Sequence, residues 1–144
     1  MEITETERLM LVKDKEAICG ATLQILRLVN DPKNAEIIKE NLTTILSLLN
    51  QIASYADAKN SDLDAITKRV NYIFGLINLY PLKWKPAKQR FPDYWNELVV
   101  RNTENFCNIV NSIRFDFTDK KGLKIILPKV TLPKNINIGN IIHQ

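Results

Sequence analysis

The chain has 144 residues, 45% of them hydrophobic and 25% charged, with a formal net charge of +4. That balance suits one globular domain with a core of its own, and no apolar run approaches the ~18 residues of a membrane span. Residues 1–6 are acidic and polar rather than basic and then apolar, so no secretory signal and a cytoplasmic location are expected.

The first predicted helix spans Thr4 to Leu28. Its apolar residues, among them Leu9, Val12, Cys19, Leu23 and Leu26, cover more than one stripe, the pattern of a helix buried on two sides. Gly20 lies in its middle, where it costs about 1 kcal/mol relative to Ala; a close helix crossing is expected there. Asn30-Asp31-Pro32 stops this helix and starts the next. Asp31 can accept hydrogen bonds from the first free amides, and Pro32 fits the first helical position. The second helix, to about Ala58, carries Ile38, Leu42, Ile45, Leu49, Ile52 and Ala56 at steps of three and four. The third begins at Ser61, which with Asp64 resembles a capping box, and runs to about Leu79. Its stripe reads Leu63, Ile66, Val70, Ile73, Ile77 and Tyr80, with Gly75 internal. Each stripe needs an apolar partner, and the short segment between them sets the two helices antiparallel.

Tyr80 to Pro92 breaks the pattern. Pro81, Pro86 and Pro92 exclude a continuous helix, so residues 80–93 are expected to form a Pro-rich basic connection. Asp93 then caps a fourth helix, Tyr94 to about Ser112. Its inward row reads Trp95, Leu98, Val99, Asn102, Phe106, Ile109, Val110 and Ile113. A buried Asn102 could fix register or oligomeric state; the more ordinary reading is a bond to neighbouring backbone. Beyond it the period becomes two. Phe115 and Phe117 alternate with Asp116 and Thr118, Asp119 to Gly122 is a turn signal, and Leu123, Ile125 and Leu127 follow, which reads as a β-hairpin. The predicted fold is mainly α: a four-helix antiparallel bundle in residues 1–114, with a small C-terminal β-hairpin and an extended tail (115–144) packed on it.

The chemistry is defined by what is missing from the sequence. His143 is the single histidine. The Glu-x-x-His pairs of di-iron bundles, the usual zinc ligand sets and a Ser-His-Asp arrangement all want more. Gly20, Gly75, Gly122 and Gly139, the only glycines, make no phosphate-cradling loop. The pairs Glu36/Glu40 and Asp62/Asp64 sit near helix starts, where the helix dipole favours them. Cys19 and Cys107 lie in helical apolar patterns and read as buried free thiols, although spacing alone does not exclude a disulfide. The expectation is a protein that is not an enzyme, with no cofactor and no metal.

Charge is uneven. Residues 1–79 carry 9 Lys/Arg against 11 Asp/Glu, and residues 80–144 carry 11 against 5. The second half is therefore expected to face something acidic. The leading expectation is a small basic helical subunit or adaptor with a protein partner or a homo-oligomeric state. Its partner contact would be the apolar tail, Ile136, Ile138, Ile141 and Ile142. The alternative is direct binding of single-stranded DNA or RNA. Lys83, Lys85, Lys88 and Arg90 would neutralise phosphates and Trp84 would stack on bases, with Arg101, Lys120, Lys121 and Lys124 extending the patch. Lysines at strand positions also guard an exposed edge.

Overall fold

The computed structural model describes residues 3–55, 61–87, 94–118 and 123–126; at 61, 62, 81–87 and 124 it describes the backbone alone. Four helices form the bulk of it. The first, α1 (Glu5–Leu28), starts at Thr4, whose Oγ1 accepts from the Glu7 amide at 3.1 Å while Glu7 Oε1 accepts from the Thr4 amide at 3.1 Å. This reciprocal pair satisfies two amides that a helix start would leave unpaired. At the far end Asp31 Oδ1 accepts from the Lys33 amide at 2.9 Å and opens a 3₁₀ turn, Pro32–Asn34, which leads into α2 (Ala35–Ala53). The third helix, α3, runs Ser61–Ala87. A π-helical turn, Trp95–Val100, then passes directly into α4 (Arg101–Asn111).

Each helix packs on its neighbour in sequence, and α4 closes the ring on α1. Both central stripes are buried along most of their length: Ile38, Leu42, Ile45, Leu49 and Ile52 on α2, and Leu63, Ile66, Val70, Ile73 and Ile77 on α3, with Tyr80 half-buried. The second helix ends at Ala53 rather than near Ala58, and Ala56 lies outside the described residues. The inward row of the fourth helical segment is buried throughout, from Trp95 to Ile113. Its polar row, with Glu97, Arg101, Glu104, Asn108 and Asn111, is exposed.

Two expectations are corrected. The helix does not stop at Leu79: α3 continues through Pro81 and Pro86 to Ala87. Each proline removes one N–H from the ladder, Pro81 the donor for the Ile77 carbonyl and Pro86 that for the Leu82 carbonyl, yet the backbone stays helical through both. Residues 88–93, which include Pro92 and the expected Asp93 cap, lie outside the described residues. The second correction is Gly20. A Cβ built there meets nothing within 4 Å, and the same holds at Gly75. Among the described residues no helix crosses closely at either position.

An aromatic cluster ties the ring at one end. The Trp95 indole Nε1 donates to the Val29 carbonyl at 2.6 Å, taking up an acceptor freed where α1 ends. Tyr80 lies edge-on to Trp95 with ring centroids 4.9 Å apart, and the Tyr94 hydroxyl donates to the Leu76 carbonyl at 3.1 Å. At the opposite end a two-stranded antiparallel sheet, β1 (Arg114–Asp116) and β2 (Lys124–Ile126), lies beside the flank of α1 that carries Arg8 and Lys15. Arg8 lies 5.0 Å over the Phe117 ring, and Lys15 lies 5.4 Å over Phe115. The Leu123 amide donates to the Tyr55 carbonyl at 3.1 Å, just beyond α2. The register is Arg114 with Ile126, Phe115 with Ile125 and Asp116 with Lys124.

Two substitutions test this packing. Trp95→Phe keeps a ring against Tyr80 but leaves the Val29 carbonyl without its donor; it should cost about 1–3 kcal/mol, read as a lower urea midpoint at unchanged m-value. An unchanged midpoint would contradict the anchoring role. Gly75→Ala enters open space in a helix interior and should stabilise by about 0.5–1 kcal/mol, raising Tm by about 2–4 °C.

Candidate functional site

Most of the basic and aromatic residues singled out from the sequence lie outside the described residues or have only their backbone described. Lys83, Trp84 and Lys85 belong to the last turns of α3, where only the backbone is described. A helix C-terminus presents unpaired carbonyls, and a lysine there is favoured by the helix dipole. Lys88, Arg90, Lys120, Lys121, Ile136, Ile138, Ile141 and Ile142 lie outside the described residues. Lys124 stands opposite Asp116 in the hairpin register, an unlike-charge placement that favours pairing of the strands. Arg101 is exposed on α4. The structure does not bring these residues together into one described surface.

The buried polar groups are structural in character. Asn102 is buried, yet its Nδ2 donates to the Leu98 carbonyl at 2.7 Å, within its own helical run beside the π turn. Cys107 is a buried free thiol whose Sγ donates to the Thr22 carbonyl at 3.6 Å. Burial, and secondarily the charge of Glu104, pushes its pKa up to about 12, which leaves it unreactive near neutral pH. Burial likewise pushes the Tyr94 hydroxyl up to about 12. Cys19 is free and half-exposed. Glu36 pairs with Lys39 at 2.8 Å and Asp64 with Lys68 at 3.2 Å, on their own helices. Among the described residues, no cluster of His, Cys, Asp or Glu could hold a metal ion, and no helix is long and apolar enough to cross a membrane.

Asp14 is the exception within the core. It sits on the inward row of α1 between Leu11 and Ile18, is only 8% exposed, and its Oδ2 has no hydrogen-bond partner. Desolvation by burial is the one cause that raises its pKa. An isolated carboxylate of this kind costs stability.

What the sequence did not reveal is the outer face of α1. Two apolar stripes pointed to a helix buried on two sides, but only one is covered. Leu11, Ile18, Ile25 and Val29 are buried, whereas Leu9 is 55% and Leu23 52% exposed, with Val12 also exposed between them. Glu5, Glu16, Gly20 and Arg27 share this face at steps of three and four and are all exposed. The period showed two rows; which of them lacked a neighbour depended on where α2 and α4 would sit.

Comparisons with protein-family models, curated proteins and solved structures give no match for this chain. The candidate site is therefore defined by its own surface: an apolar row on an exposed helix, closed at either end by a residue of opposite charge.

The Asp14 environment has a measurable consequence. The folded protein holds this proton more tightly than the unfolded chain, because the folded pKa lies above the ordinary value of 3.8. The stability involved is complete below that value and is lost as pH rises through the raised one. Glu7 acts in the opposite sense: hydrogen bonds from Thr4, and then Tyr55, lower its pKa, so its contribution is lost on acidification. Asp14→Asn should therefore be more stable than the wild type at pH 7 and equal to it near pH 3, in urea titrations at both values. Parallel curves at the two pH values would contradict a destabilised carboxylate.

Proposed function

We propose that this protein is a non-enzymatic interaction subunit and that it docks through the outer face of α1. The observation that supports this reading is the paired exposure of Leu9 and Leu23, each more than half accessible on one helical row. Single exposed leucines are ordinary; a row of them along a regular helix is the arrangement a partner helix or groove can cover.

The test compares tagged wild type with the double variant Leu9→Glu, Leu23→Glu. Both sites are exposed, so circular dichroism and Tm should stay close to wild type. Proteins cross-linked to the wild type in cells and identified by mass spectrometry should fall at least tenfold in the variant. Equal recovery from both would contradict the proposal. Nucleic acid that co-purifies equally with both and dissociates with salt would instead favour contact through the basic second half.

A further inference from the structure

We infer that the partner of the α1 outer face is a second copy of the same chain, with the two α1 helices packed antiparallel. This rests on reading that face as the docking surface. The face is complementary to itself in one orientation. α1 spans Glu5–Leu28, which places Glu16 at its middle. When two copies lie antiparallel about a two-fold axis at Glu16, Leu9 of each meets Leu23 of the other. Val12 then meets Gly20, where a Cβ would find open space, so the valine has room for close approach. Glu5 of each copy meets Arg27 of the other, an unlike pair at both ends of the apolar row. A parallel arrangement would instead set Glu5 against Glu5 and Arg27 against Arg27. Charge thus selects the antiparallel form. The unfavourable contact is Glu16 on the axis, and Lys13, one turn away on the same helix, flanks it from both copies. An isologous contact of this kind closes at two subunits and does not propagate.

One helix from each copy buries less than the roughly 1,200–2,000 Å² of a standard stable interface. The association is accordingly reversible and should be sought at high protein concentration, on the order of 100 µM.

Sedimentation equilibrium of the purified full chain, from low micromolar to several hundred micromolar, tests this directly. The wild type should show a monomer–dimer equilibrium, and Leu23→Glu should weaken it at least tenfold. Glu5→Arg should weaken it several-fold by setting arginine against Arg27, and Glu5→Arg with Arg27→Glu should restore it. A wild type that stays monomeric throughout overturns the inference, as does a dimer indifferent to Leu23→Glu. A dimer lost with Leu23→Glu but not restored by the charge exchange overturns the antiparallel register. If the chain is monomeric while Leu9→Glu, Leu23→Glu still removes cross-linked proteins in cells, the docking face stands and its occupant is a different protein. If neither assay responds, both readings fail.

Discussion

Both α2 and α4 pack against the half of α1 that carries Leu11, Ile18, Ile25 and Val29. A closed ring of four helices gives each member two neighbours, and their contacts merge into one buried arc. The remaining arc of α1 must face water or another molecule. On α2 and α4 that arc is largely polar, as solvation demands. On α1 it carries Leu9, Val12 and Leu23, an asymmetry that sets the outer face of α1 apart.

The ring is held at both ends by bonds that join helices rather than extend them. Trp95 to Val29 fixes the start of the fourth segment against the end of α1. Leu123 to Tyr55 fixes the hairpin against the end of α2. Between them, Thr22 bonds the Cys19 carbonyl at 2.7 Å, and Cys107 reaches the Thr22 carbonyl. Two buried oxygens stand outside this network, Asp14 Oδ2 and Thr103 Oγ1. Each is a polar atom that lost water without gaining a partner, and each subtracts from stability. Apolar burial around them, from Leu11 to Ile25 on α1 and from Phe106 to Val110 on α4, carries the fold despite that loss.

The helical architecture was legible because it is written in local periodicity. Steps of three and four on α2 and α3 named the buried residues, and the change of period after Ser112 announced the hairpin. Two features were not legible for physical reasons. Pro81 and Pro86 read as breakers because a proline's cost is local and says nothing of the rest of the helix, and α3 runs on to Ala87. The exposed row of α1 read as buried because periodicity reports the rows on a helix and not the neighbours around it. The basic residues showed the reverse problem. Lys83, Lys85 and Lys124 stood out as charge; the first two lie at a helix end, which favours cations, and the third stands in register with Asp116. Composition can show charge in excess; whether it is aimed at a ligand is a matter of placement.

The central claim is that α1 keeps one apolar face covered by its own chain and one exposed. Nuclear magnetic resonance of methyl groups in dilute protein with a soluble paramagnetic chelate measures this residue by residue. The account predicts strong broadening of the Leu9, Val12 and Leu23 methyls, with those of Leu11, Ile18 and Ile25 protected. Equal protection of both sets at monomer concentrations would contradict it.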